Sequence, residues 1–143
     1  MKKMRFVVVD ADAIIALVNE DDGNHAMAMR ISEMLIQQKT EMIVPMTAVC
    51  EAITALKRVV GKPELTSMII AQCENEVIPV VSVTKDMLSL ANTFFDPKSS
   101  KQDTFFDALI AAFAEKYQAD AIFSFDKWYR KKGMTLVSEF LET

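Results

Sequence analysis

Phe6-Val7-Val8-Val9-Asp10-Ala11-Asp12-Ala13-Ile14-Ile15-Ala16-Leu17 is an apolar run that breaks off at an acid. Val7, Val8 and Val9 are consecutive and β-branched, which suits a strand buried on both faces of a parallel sheet. Asp10 falls where that strand ends. In open α/β sheets, ligands bind beyond the carboxyl ends of the strands. Behind Asp10, Asp12 is placed to cap a short helix that runs to about Asn19.

The rest of the chain repeats this alternation. Glu20-Asp21-Asp22-Gly23-Asn24 is a polar turn. From His25 to Gln38, Met27, Ile31, Met34 and Leu35 recur at helical spacing. Met42-Ile43-Val44 reads as a strand ending at Pro45. Thr47 then caps a helix that carries Val49, Cys50, Ile53 and Leu56 towards Gly61. Lys62-Pro63 opens another helix, with Leu65, Met68, Ile69 and Cys73. Val77 to Val83 reads as a strand, and Pro79 inside it places that strand at the sheet edge. Thr84 caps a helix to about Phe95, and residues 96–102 form a loop. Asp103 or Thr104 caps a strong helix to Tyr117, with Phe106, Leu109, Ile110 and Phe113 on its apolar side. Ala121-Ile122-Phe123 is a strand closed by Ser124-Phe125-Asp126. A short basic helix, Gly133 and a last strand, Met134 to Val137, complete the chain. This order predicts a three-layer α/β/α sandwich around a mostly parallel sheet, in a single domain over residues 1–143, without repeat or linker.

Composition agrees. With 143 residues, 51% hydrophobic and 25% charged, the chain is long enough to bury about 70% of its unfolded surface. Three Gly and four Pro are too few for an all-β chain rich in tight turns. A net charge of -4 rules out a generally basic nucleic-acid clamp, although local patches and bound cations outweigh the total. Cys50 and Cys73 have no metal-site spacing and read as reduced, buried hydrophobes of a cytoplasmic protein. The basic start, Met1 to Arg5, is followed by an apolar run broken at once by Asp10 and Asp12, so it fails as a signal peptide. No stretch reaches the roughly 18 apolar residues of a membrane span.

Two acids stand at strand ends, Asp10 and Asp126. Glu51 lies four residues past Thr47 and Asp107 four past Asp103, both in early helical turns. Strand carboxyl ends and the N-termini of the helices that follow share one sheet edge, so Glu51 joins Asp10 and Asp126. The helix of Asp107 precedes the strand of Asp126, and periodicity alone leaves Asp107 on the opposite edge.

These segments resemble the acidic motifs of the PIN domain nucleases, particularly the small VapC-like toxins. Val7–Leu17 (VVVDADAIIAL) is similar to the family's strand, Asp and short helix. Thr47–Arg58 (TAVCEAITALKR) resembles its helix with an inward Glu. Asp103–Gly133 (DTFFDALIAAFAEKYQADAIFSFDKWYRKKG) resembles its third and fourth motifs together. The resemblance spans about Phe6 to Val137 and implies a PIN-like fold. It also implies that Asp10, Glu51, Asp107 and Asp126 bind metal and that Ser124 takes the hydroxyl position of the last motif. The implied activity is Mg²⁺- or Mn²⁺-dependent hydrolysis of single-stranded RNA, as in the toxin of a toxin–antitoxin pair. An antitoxin protein and a homodimer are the implied partners, the latter in keeping with the Met-rich helices between His25 and Cys73. Where the family often has Thr, Ser or Asn after its first Asp, this chain has Ala11 and Asp12. Asp103 lies one turn before Asp107, so the third motif has two candidate acids; Asp107 is preferred because Ala108-Leu109-Ile110-Ala111-Ala112 follows it directly.

The residue types suit that chemistry. Hard divalent cations take oxygen ligands, from carboxylates and water. Clustered carboxylates repel one another until a cation is bound. Lys127, Arg130, Lys131 and Lys132, with Trp128 and Tyr129 between them, could grip phosphates and stack a base. Plainer readings stand beside these. Asp10 could be a turn residue, Asp126 and Asp12 helix caps, Asp107 an acid favoured by a helix dipole, Ser124 a turn hydroxyl, and the basic run a solvated face. His25, next to a polar turn, reads as exposed. Val7–Ile14 also resembles the first motif of haloacid dehalogenase-like phosphatases. That family needs a later Lys and a late acidic pair, and the doublet Asp21-Asp22 comes too early. A non-catalytic PIN-like binding module is the third reading.

Overall fold

A computed structural model of the chain describes residues 3–141. Met1 and Lys2 of the basic start lie outside the described residues. Among the described residues four strands form one sheet: β1 (Phe6–Val9), β2 (Glu41–Pro45), β3 (Val80–Val81) and β4 (Ala121–Phe123). Their order is β3-β2-β1-β4, and every pairing is parallel. The helices are α1 (Ala11–Val18), α2 (His25–Gln37), α3 (Met46–Ala55), α4 (Glu64–Glu74), α5 (Lys85–Asn92), α6 (Phe105–Lys116) and α7 (Trp128–Lys131). None of the described helices is long and apolar enough to cross a membrane.

The valine run sits at the centre, as its composition requires. Val7, Val8 and Val9 are buried. Val7 stands opposite Met42 on one side and Ala121 on the other. The chain lays down β1, β2 and β3 outwards and then returns past β1 to form β4. The connections leaving β1 and β4 therefore diverge, and a crevice opens at the carboxyl edge between them. Asp10 and Ser124 are the first residues beyond these two strands, and the Asp10 N–H donates to the Phe123 carbonyl at 3.0 Å.

Helix α6 is apolar nearly all round, with every residue from Asp107 to Ala114 buried. It packs between β1, α5 and α3. Its C-terminal end feeds β4, so its N-terminal end lies at the carboxyl edge of the sheet. This corrects the expectation that Asp107 falls on the opposite edge. A helix that precedes a parallel strand runs antiparallel to it, and residues 93–104 bring the chain back across from the end of α5.

Five local expectations also change. Val77 to Val83 pairs only at Val80–Val81, at the predicted edge. The N–H groups of Val77 and Ile78 both turn back to the Gln72 carbonyl, and Pro79 has no N–H to give. The predicted last strand is reduced to a single parallel bridge between Ile122 and Leu136, followed by a 3₁₀ turn, Val137–Phe140. Thr47 does not cap α3, which begins at Met46 behind an extended Pro45. Cys50 is exposed, and Cys73 is half-buried where it packs against the margin of the core, so neither thiol is fully buried. His25 is half-buried, and its Nδ1 donates to the Ala16 carbonyl at 2.7 Å, tying α2 to α1.

Candidate active site

One cleft of about 240 Å³ at the crevice is lined by Asp10, Asp12, Glu51, Asp107 and Asp126, with Ala11, Ile15 and Ala55. The four sequence-predicted acids thus come together from β1, α3, α6 and the turn after β4. Asp103 is not among them. It lines a separate pocket with Phe95, Thr104 and Trp128.

Three of these acids divide their oxygens between a local backbone N–H and the cleft. Asp10, not Asp12, is the N-cap of α1, and its Oδ1 accepts from the Ala11 N–H at 2.7 Å. Asp10 Oδ2 accepts from the Tyr129 hydroxyl at 2.6 Å and stands 3.2 Å from Ser124 Oγ. Asp107 is the third residue of a capping box. Its Oδ2 accepts from the Thr104 N–H at 3.1 Å, while Oδ1 lies 3.4 Å from the Tyr129 hydroxyl. Asp126, which is exposed, accepts from the Trp128 N–H through Oδ1 at 2.9 Å. Asp10 and Asp107 therefore do cap their helices, whereas Asp126 precedes the Lys127 N-cap of α7 and accepts across a local turn; each of these backbone bonds also fixes the orientation of its carboxylate. Glu51 differs: it is half-buried on α3 and reaches the cleft without a cap.

Asp12 is the fifth acid. It is the second residue of α1, and its Oδ2 accepts from the Phe125 N–H at 2.8 Å and stands 3.0 Å from Ser124 Oγ. It joins α1 to the turn after β4 rather than capping its own helix. Its Oδ1 is buried with no hydrogen-bond partner, a costly state for a charged oxygen. Ser124 is itself buried. Its hydroxyl serves Asp10 or Asp12 and accepts from the Asp126 N–H at 3.1 Å, so one side chain ties three acids to β4.

The electrostatics follow from this crowding. Burial, and then the charge of Asp12, push the Asp10 carboxyl up to about 8. Burial pushes Asp12 up to about 6. Burial, helped by Asp107 and Asp12, raises Glu51 to about 7. Asp107 is also raised, chiefly by burial. The Tyr129 phenol is driven far upward by burial and by Asp10, so it remains protonated and donates. A cluster that holds protons this tightly is one that a cation would stabilise. The donor set is all carboxylate oxygen, which fits a hard divalent ion, and the orphaned Asp12 Oδ1 adds unused acceptor capacity. Among the described residues no three His, Cys, Asp or Glu side chains stand close enough together, as placed, to hold a metal ion by themselves. An ion here would complete its coordination with water, as Mg²⁺ does habitually.

Sequence reasoning missed Tyr129. Trp128 and Tyr129 were read as rings available to a base, yet both are buried. In a four-residue helix tucked under the cleft, the rings pack into the core, and the Tyr129 hydroxyl is the group that reaches the acids. Only the phenolic oxygen, three residues past Asp126, could have signalled this. The basic residues around them stay outside. Arg130 pairs with Glu139, and Lys132 Nζ lies 5.4 Å from the Trp128 ring centre.

The family model of the PIN domain matches residues 7–133. The chain belongs to the PIN domain family. Among solved structures, this PIN domain superposes on VapC20 of Mycobacterium tuberculosis, described as a sarcin-ricin loop cleaving toxin, with a TM-score of 0.76. That match has 22% sequence identity and covers 90% of this chain and 96% of the other. It is a likeness of fold. No curated protein matches the sequence.

Proposed function

We propose that this PIN domain is a metal-dependent endoribonuclease and that it acts in the cytoplasm as the toxin of a toxin–antitoxin pair. One observation carries the reading: four acids far apart in sequence, Asp10, Glu51, Asp107 and Asp126, line one cleft at the switch point of the sheet. The PIN domain match and the fold shared with a sarcin-ricin loop cleaving toxin support it.

Asp10, Glu51, Asp107 and Asp126 would hold Mg²⁺ or Mn²⁺, which supplies a polarised phosphate oxygen and a more acidic water. Tyr129 holds Asp10 and, more weakly, Asp107 in place through one shared proton. Ser124 keeps Asp10, Asp12 and Asp126 at fixed spacing and serves as a positioning residue. Local backbone bonds orient three of the carboxylates before any ligand arrives, so little ordering remains to be done on binding. The phosphatase reading loses ground because no lysine lines the cleft among the described residues; Lys62 is engaged by Asn19 and Asp21. Exposed Met29, Ile36, Met46, Met68 and Ile70 on α2, α3 and α4 support a homodimer. The test is cleavage of single-stranded RNA in Mn²⁺ by wild type, Asp10→Asn and Asp126→Asn. Cleavage by wild type alone is expected, and undiminished cleavage by both variants would sink the assignment.

A further inference from the structure

A second cleft, of about 550 Å³, opens beside the acids and shares Glu51 and Ala55 with them. Its other walls are Cys50, Thr54, Arg58, Val59 and Phe106. Phe106 immediately precedes Asp107 on the first turn of α6. The eight residues after it are buried, yet Phe106 remains 44% exposed. Its ring is not used by the core and lines this second cleft. Arg58 is exposed and makes no ion pair among the described residues. It lies on a π-helical turn, Leu56–Val60, that continues α3 and is closed by Gly61 at φ +73°. Such turns are uncommon and concentrate at functional sites. An exposed aromatic face and an unpaired guanidinium, one step from a carboxylate cluster, match what a nucleotide presents on either side of a scissile phosphate.

We propose that this cleft is a nucleotide subsite for single-stranded RNA, in which Phe106 stacks the base next to the cleaved bond and Arg58 pairs with the adjoining phosphate. The proposal rests on the nuclease reading for its substrate class. Base recognition then falls to the exposed Phe106 rather than to the buried Trp128 and Tyr129. Stacking tolerates every base, so Phe106 supplies affinity and register, and selectivity falls to the polar groups around it.

The experiment measures fluorescence anisotropy of a labelled, short, mixed-sequence single-stranded RNA in EDTA, so that binding is read apart from metal-dependent cleavage. Phe106→Leu is expected to weaken binding about tenfold, and Phe106→Tyr to retain it. Arg58→Gln is expected to weaken binding and to lower the slope of log affinity against log salt by about one. Circular dichroism confirms that each variant is folded. Equal affinity in all four proteins, absence of binding included, overturns the subsite. So does a Phe106→Leu effect confined to self-association or to a protein partner, which would give the cleft to protein contact. RNA binding that depends on Phe106, with no cleavage by wild type in Mn²⁺, would retire the nuclease reading and leave the subsite standing.

Discussion

Asp10 and Asp120 lie at opposite edges of the same sheet and have opposite surroundings. Asp120, just before β4, accepts from the Arg5 N–H at 2.7 Å and the Phe6 N–H at 3.1 Å through Oδ2. It ties the start of β1 to the start of β4 and is met by donors. Asp10, just after β1, is met by Ala11, Ser124 and Tyr129, and also faces Asp12 and Asp107. An acid kept for architecture is surrounded by N–H groups. An acid in a candidate reaction site is surrounded by other acids, and that environment makes sense only with a cation or a proton to share.

The strongest way to break this contrast is activity. Asp10→Asn is expected to reduce Mn²⁺-dependent RNA cleavage at least about a hundredfold, while Asp120→Asn leaves it near wild type in a gel-based cleavage assay. Comparable losses in both would erase the distinction. Next is ligand linkage: Mg²⁺ or Mn²⁺ at a hundred times its Kd should add about 2.7 kcal/mol to wild-type stability. Thermal melts should show that gain shrink in Asp10→Asn and persist in Asp120→Asn.

The pH dependence of the metal-free protein sharpens the comparison further. Asp10, Glu51 and Asp12 are raised to about 8, 7 and 6 in the folded chain. Between their unfolded values and these, the folded state binds more protons than the unfolded state. Their contribution to stability is therefore fully present below about pH 3.8, the ordinary Asp value, and is lost as pH rises towards 8. Urea melts in EDTA should show that decline, and Asp10→Asn should flatten it. Rising stability over the same window would contradict the assigned environment.

The smallest effects belong to the caps and ties. Asp120→Ala should cost about 1–2 kcal/mol by stranding two backbone donors, with metal affinity by calorimetry unchanged. Asp107→Ala should lose about 1 kcal/mol through its capping box and also weaken metal binding. A normal metal affinity in Asp107→Ala would reduce that residue to a cap.

Much of the fold was legible because β1, β2 and β4 are short apolar runs with abrupt polar ends. The overread strands failed for a reason that hydropathy does not carry. Val77, Ile78 and Met134 are apolar, but their N–H groups are claimed by turns at Gln72 and Tyr129. At the site, the acids of the motifs were legible by type and order. Which of Asp10 and Asp12 caps α1 was not, since both suit an N-cap and only the end of β1 decides. Periodicity alone leaves Asp107 on the wrong edge, an error of direction that the motif resemblance does not share, and Tyr129 is hidden by an alternation of basic and aromatic residues that reads as surface.

The two-residue strand β3, preceded by Pro79, has a consequence for how this molecule can meet others. A sheet is joined from outside by laying a new strand along a free border, and that border needs a run of unengaged amides. One border here offers Val80 and Val81 next to a residue with no amide hydrogen, and the other is occupied where Leu136 bridges Ile122. Strand addition is closed on both sides, which also guards the sheet against polymerising. Association is left to helix faces and to the clefts beside the acids.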